Sequence, residues 1–550
     1  MMPTMNRYSK RFIQQWLTAL GVGCSMLLSP LVAQAQTSAD DAKVALGQRI
    51  YREGTGASGE PIRAIGAAQT MLSGKTVACV ACHRRSGFGT TEGPFNIRPI
   101  TGPALFEDQT VVVRSPRIKA QLGSRLRPAY TEPLLAKAIG TGIDSSGQPL
   151  DAVMPRYALT TEEMKAISAY LATLDNKPSP GVDEEEIHFA TVFQPGVAPE
   201  RRRAMLDTLQ AFFRDKGANV RQDEQRRDAG NMRMYRSYRK WVLHVWELKG
   251  DSETWTAQLE SLYRQRPVFA MVAGLGTQKW DPIHNFSERF EVPAVFAQTD
   301  LPVVGGNGNY NFYFSRGAVL DAEVLAKFLR QSEGSKKVVQ VFRHDDAGLA
   351  ASLAFKNAVQ AGTTVEDRVL TGTADESFWR TVYSTKPDSI ALWLGQADVV
   401  AVPFADEMVG IPLYASLDLL GGKPPPGLAK LNARLIYPSD LSPKHEARLL
   451  RTKIWLHSKK IPITDETLQV NTQFAVSVLN DAVGHIMDSF SRDYLVERIE
   501  HIVGQTPIPS SFPSVSLGPE QRFAAKGRAI VQLGGDEKMP MTALTGWLIP

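Results

Sequence analysis

Beyond residue 186 the apolar positions form short continuous runs, separated by longer stretches in which apolar residues return every three or four places. The runs at 187–193, 241–247, 268–273, 294–297, 338–342, 389–394 and 413–416 predict strands. The intervening patterns at 199–216, 254–264, 320–331, 350–360 and 470–488 predict amphipathic helices. Strands alternating with helices imply parallel sheets covered on both faces, and so long a stretch implies two lobes. Before residue 175 the pattern differs. Helical periodicity is confined to 41–52 and 160–174, with a glycine-rich, irregular stretch between them. A polar run containing Pro178 and Pro180, at 176–186, carries no apolar period and reads as a linker.

The chain has 550 residues, too many for one core. With 43% hydrophobic and 22% charged residues it has globular composition, and a net charge of +5 is too small at this length to indicate nucleic acid. Arg7, Lys10 and Arg11 precede an apolar run over 16–32 that ends in Ala33-Gln34-Ala35, the pattern of a secretory signal peptide at 1–35. Export to the periplasm follows. The alternative is a retained anchor, against which Gly21, Gly23, Ser29 and Pro30 break the run. Gly21-Val22-Gly23 lacks the leucine-like residue expected before a lipid-modified Cys24, and no other stretch is long and apolar enough to span a bilayer.

Removing that segment leaves Cys79 and Cys82 as the thiols of the exported protein. Cys79-Val80-Ala81-Cys82-His83 is the C-x-x-C-H haem-attachment motif, in which both thiols bond the haem edge and the adjacent histidine reaches the iron. A redox-active dithiol belongs at a strand-to-helix junction, and a zinc site needs further Cys or His nearby; neither context is present. His83 is the sole histidine before residue 188, so a second axial ligand must be of another type. Met71, Met154 and Met164 are the candidates. Met71 lies too close upstream of the motif, and Met164 falls inside a helical pattern. Met154 precedes Pro155 in a loop-like stretch, which favours it over the alternative of a core methionine.

With one haem c held by Cys79 and Cys82 and capped by His83 and Met154, residues 38–175 resemble an all-α class I cytochrome c domain. Gly47 and Tyr51 share one face of the first helix, and Ile167, Tyr170 and Leu171 share one face of the last. In that family these helices cross at a glycine set against an aromatic residue. Thr160 or Thr161, followed by Glu162 and Glu163, gives the last helix an acidic start. The resemblance also implies a proline carbonyl, from Pro94 or Pro99, that orients His83, and it allows Arg98 as a propionate partner.

Residues 187–550 resemble a bilobal type I periplasmic solute-binding protein of the branched-chain amino-acid receptor kind, with matching pieces at 269–274, 292–295, 311–316, 337–349 and 387–393. The resemblance places a small organic ligand at Thr277, Gln298, Thr299 and Asp418. The serine and threonine pair that grips an amino-acid carboxylate is not evident in the segment 274–280. The tail 517–524 resembles receptor-like proteins that accompany quinoprotein alcohol dehydrogenases. Arg226 to Lys240 holds six basic residues with Tyr235 and Tyr238, a solvated face or a docking patch for an acidic redox partner.

Two functions follow from these resemblances. One is a non-enzymatic electron carrier, with a quinoprotein dehydrogenase, another cytochrome or an oxidase as partner. The other is a solute-binding protein of an uptake or sensing system with an appended redox-reporting cytochrome. A haem enzyme would need an open iron position, which His/Met ligation closes.

Overall fold

In chain order the first part of the protein builds helix α1 (Ser29–Glu53), strands β1 (Arg63–Ile65) and β2 (Met71–Ser73), α2 (Val80–His83), β3 (Thr91–Glu92), β4 (Phe95–Asn96), α3 (Gly102–Phe106), α4 (Glu132–Thr141), β5 (Arg156–Tyr157) and α5 (Thr161–Thr173). The computed structural model describes residues 29–550 except 93–94, 109–126, 176, 230–238, 306–307, 333–335, 401–409, 426, 432, 440, 487–488, 506–507, 520 and 535–540. Its packing divides the chain into two units, Met1–Lys177 and Pro178–Pro550. Cys24, Pro94 and most of the expected signal segment lie outside the described residues; positions 29–35 of that segment fall in α1.

Helices α1 and α5 cross at Gly47. A Cβ there would lie 2.1 Å from the Ala166 carbonyl oxygen and 2.7 Å from Tyr170 Cβ, so the crossing requires glycine. One turn on, the Tyr51 and Tyr170 rings stand 5.2 Å apart, and the Tyr51 hydroxyl donates to the Arg84 carbonyl at 2.6 Å. Thr160 and Glu163 close a capping box on α5, each side chain taking a backbone N–H of the other.

The expectation of an all-α unit needs correction. Strands β2, β1 and β5 form an antiparallel sheet, and β3 pairs with β4. These strands are two or three residues long, too short for a twofold alternation to stand out in the sequence. The pairing has a local consequence. Ala64 opposes Tyr157, Ile65 opposes Arg156, and the Ala158 N–H donates to the Arg63 carbonyl, which pins the chain immediately after Met154.

The second unit is two doubly wound lobes. Its first lobe carries β6 (Glu186–Phe193), α6 (Pro199–Ala229), β7 (Lys240–Glu247), α7 (Trp255–Gln265), β8 (Ala270–Val272), β9 (Leu275–Gly276), α8 (Asp281–Arg289), β10 (Ala294–Thr299) and β11 (Asn311–Tyr313). The sheet order is β11-β10-β8-β6-β7 with β9 beside β10 and β6, all parallel. The second lobe carries α9 (Ala318–Gln331), β12 (Lys337–Phe342), α10 (Asp346–Ala358), β13 (Thr364–Val369), α11 (Glu376–Ser384), β14 (Ser389–Trp393), β15 (Leu413–Ser416) and β16 (Ala433–Tyr437). Helices α12 (Pro443–Ser458), α13 (Glu466–Ile486) and α14 (Arg492–Gln505) follow, and α13 packs on α6 and β10 of the first lobe. The chain then returns to the second lobe as antiparallel β17 (Ala529–Gln532) and β18 (Thr542–Ala543), giving the order β13-β12-β14-β15-β16-β17-β18.

Alternation along each strand decides which face a residue serves. Val339, Leu392 and Leu435 pack with Trp379 of α11, whereas Val338, Ala391 and Ile436 pack with Leu325 of α9 and Phe355 of α10. Both sheet faces are thereby covered, and the strands read as continuous apolar runs.

Candidate functional site

Cys79 precedes the single turn α2, which carries Cys82 and His83. No disulfide joins the two cysteines. The His83 Nδ1 lies 3.0 Å from the Arg98 carbonyl oxygen. A proline carbonyl was the expectation; the acceptor is instead the residue before Pro99, whose ring holds Arg98 extended. With Nδ1–H committed to that carbonyl, Nε2 carries the lone pair that a metal takes. Burial pulls the His83 pKa down to about 4, against the opposing bond to Arg98, so the imidazole is neutral at pH 7. Burial likewise pushes the Cys79 thiol up to about 12.

These side chains open onto a cavity of about 590 Å³, walled by apolar residues such as Ile50, Leu105, Leu135, Ile167 and Leu171. Cys79, Cys82, His83 and Met154 all line it, and Met154 is the one methionine among the described residues to do so. Met71 is 66% exposed on β2, and Met164 is buried in the α5 packing. The Met154 loop is tied at its backbone: the Arg156 guanidinium donates to the carbonyls of Met154, Leu150 and Asp151. Tyr157 also lines the cavity, its hydroxyl donating to the Val77 carbonyl at 2.8 Å. An apolar cavity of this size, a neutral histidine with its second nitrogen fixed, two thiols in one turn and a thioether on the wall together fit a covalently held haem.

Arg98 lines this cavity, and it is accompanied by Arg127, which no motif marks. Arg127 is buried, stands 4.5 Å from the centre of the Tyr130 ring, and donates to the Ala104 carbonyl.

In the second unit a cleft of about 300 Å³ lies where the carboxyl ends of β10 and β15 face each other across the lobes. Gln298, Thr299 and Asp418 line it. Thr277 does not. It is exposed, because Gln194 fills the space behind Gly276 and accepts the Gln278 N–H, turning the loop outward. The Gln298 amide donates to the Leu468 carbonyl and the Thr472 hydroxyl, and Asp418 accepts from Arg528 at 3.1 Å. The sequence reading missed Asp300, Arg201 and Asp465, which also line the cleft, and Arg528, which lies behind it. Arg201 pairs with Asp465 at 3.0 Å across 264 residues of chain, a separation no local pattern reveals.

Of the basic stretch, 230–238 lies outside the described residues. Arg239 stands over the Phe490 ring and donates to the Asp183 carbonyl, while Lys240 pairs with Glu186. In the tail, Arg522 pairs with Glu500 and Phe523 stacks on Tyr313.

The family model for cytochrome c matches residues 71–175. No match was found among curated proteins. Similar solved structures include a leucine-binding protein from Thermotoga maritima, 13% identical, with a TM-score of 0.47 over 66% of this chain and 99% of its own. A fatty acid ABC transporter substrate-binding protein from Thermomonospora curvata is 14% identical, with a TM-score of 0.49 over 68% and 95%. A branched-chain amino-acid ABC transporter structure from Thermus thermophilus with bound valine is 11% identical, with a TM-score of 0.49 over 67% and 98%. Among the described residues, no helix is long and apolar enough to cross a membrane.

Proposed function

We propose that the chain is an exported solute-binding protein fused to a c-type haem unit, the cleft taking a small molecule in an uptake or sensing role and the haem unit reporting or carrying redox state. The observation that carries the binding half is a cleft at the carboxyl ends of facing parallel strands, walled from both lobes, where open α/β sheets place their ligands. The observation that carries the haem half is one apolar cavity with Cys79, Cys82, His83 and Met154 on its wall. Cys79 and Cys82 would hold the haem covalently, His83 and Met154 would take the two axial positions, and Arg98 and Arg127 would meet its propionates. A haem so held supplies reversible one-electron transfer. The protein's part is to keep His83 neutral and oriented, to tie the Met154 loop, and to exclude water with its apolar wall.

A second reading makes electron transfer the main task and the binding unit a recognition surface, with a quinoprotein dehydrogenase as donor and another cytochrome or an oxidase as acceptor. The haem-attachment motif and a cavity lined by both His83 and Met154 support it equally well. The two readings part on ligand binding. A small molecule that binds the folded state must raise its melting temperature. A broad panel of alcohols, acids, amines and amino acids that shifts nothing would remove the receptor reading and leave the carrier. Optical and magnetic circular dichroism spectra of the oxidised protein test the haem half. Low-spin iron with a sulfur-to-iron charge-transfer band, lost in Met154→Ala, is the expected result; a high-spin spectrum unchanged by the substitution overturns it.

A further inference from the structure

The interlobe cleft has an unbalanced charge at its deep end. Asp300 follows β10 of the first lobe and Asp418 follows β15 of the second, and both line the cleft. Behind them Arg528 and Asp321, each 1% exposed, are paired at 2.7 Å, and the same guanidinium reaches Asp418 at 3.1 Å and the Ser315 hydroxyl at 2.8 Å. Two carboxylates therefore share one arginine, and a third, Asp300, stands close to both. Asp321 and Asp418 take its donors, and the Asp300 carboxylate is left with no hydrogen bond or ion pair among the described residues. Burial, with Asp418 next, pushes the Asp300 carboxyl up to about 7, although Arg201 opposes the rise. A carboxylate held in a cavity without a partner is costly, and such a group marks a place where something else supplies the charge.

The other charges of the cleft do not supply it. Arg201 is held by Asp465 at 3.0 Å, and Glu466 is held by Lys453 at 2.9 Å. Lys423 lines the cleft but is exposed. An incoming carboxylate would find no arginine free of an acidic partner, and would meet the unpaired Asp300. A neutral alcohol would leave Asp300 as it is. Phe314 and Phe512, stacked 5.6 Å apart, add an aromatic wall, a surface that suits hydrocarbon and attracts a cation.

We propose that the cleft takes an organic amine, its ammonium seated between Asp300 and Asp418 and its hydrocarbon against Phe314 and Phe512. This rests on the cleft being a ligand site, as proposed above, and it names the class of ligand. The cavity, at about 300 Å³, suits a small amine rather than a long polyamine.

The test uses the full-length, haem-loaded protein above pH 7 and four probes: n-butylamine, putrescine, n-butanol and butyrate. The three butyl compounds have nearly one shape and three different charges. Scanning calorimetry and isothermal titration are expected to show stabilisation and binding by the amines and none by butanol or butyrate. Asp300→Asn should weaken amine binding about tenfold or more, since it removes a charge-assisted bond, and Asp300→Glu should retain most of it. Equal binding of the amine by wild type and a folded Asp300→Asn overturns the proposal. Tyr437, at the end of β16, also lines the cleft, and butanol or butyrate binding that Tyr437→Ala abolishes overturns the amine class while keeping the cleft as a site. No response to any of the four overturns the amine proposal; a response to other members of the broad panel would then keep the cleft reading, and none would end it.

Discussion

The carbonyl oxygen of Arg98 lies 3.0 Å from Nδ1 of His83, and the residue that holds that carbonyl in place is Pro99. The bond makes the imidazole a stronger donor on its Nε2 side, which would favour the oxidised iron of a haem held by His83. Pro99→Gly frees the Arg98 backbone and adds freedom to the unfolded chain. A stability loss of about 0.4–1 kcal/mol is expected, with a rise in reduction potential as the bond weakens. Spectroelectrochemistry and calorimetry read both. An unchanged potential would show that the carbonyl does not tune the histidine.

Arg156 is the positioning residue for Met154. Its guanidinium gathers three carbonyls of the 150–154 loop, and it occupies the space where Gly142, at φ 75°, has no Cβ: one built there would fall 2.2 Å from the guanidinium carbon. Arg156→Gln should destabilise the haem unit by about 1–2 kcal/mol, because charged donors to three carbonyls are lost and partly replaced by water. The sulfur-to-iron band should weaken and the potential fall, since a thioether ligand raises it. Arg156→Lys should restore part of both. A stability loss with band and potential intact would make Arg156 merely structural.

How much of this could be read from the sequence depends on how local each relationship is. Cys79, Cys82 and His83 lie within five positions, and the scarcity of histidine and methionine singled out Met154. The strands of the second unit were legible because a strand buried on both faces is a continuous apolar run; 413–416 coincides with β15. Residues 364–369 escaped notice because this edge strand reads Thr-Val-Glu-Asp-Arg-Val and is only half-buried. The cleft was legible in Gln298, Thr299 and Asp418, which end predicted strands or follow them. Its electrostatics were not. Asp321 and Arg528 meet across 207 residues, and nothing near Arg528 in sequence marks it as the counter-charge of a buried acid. Thr277 was misplaced because the turning of its loop depends on Gln194, which is likewise remote in sequence.

Gly47→Ala tests the helix crossing of the haem unit. Alanine improves helix propensity by about 1 kcal/mol. Its Cβ, however, would meet the Ala166 carbonyl at 2.1 Å, a backbone atom that cannot rotate away. Forcing the helices apart costs about 2–3 kcal/mol, so the net result is a loss of about 1–2 kcal/mol in thermal or denaturant unfolding monitored at the haem absorbance. A neutral or stabilising result would mean that α1 and α5 stand farther apart than described.

Arg528 is the counter-charge of a buried acid, and its removal should give a pH-dependent loss of stability. Burial pushes the Asp321 carboxyl up even with Arg528 beside it. Arg528→Met removes the opposing cation and raises it further. An acid whose folded pKa exceeds its unfolded value contributes stability that is present below the unfolded value, about 3.9 for Asp, and is lost as pH rises through the folded one. The variant should therefore be destabilised at pH 8 by about 3–5 kcal/mol, the usual effect of breaking a buried pair, and by less at pH 5, where Asp321 can take up a proton. Adding Asp321→Asn should recover part of the loss at pH 8 and little at pH 5. Denaturant unfolding at the two pH values checks this. A loss that is equal at both, and is not relieved by the second substitution, would mean that Arg528 acts by filling space and not by balancing charge.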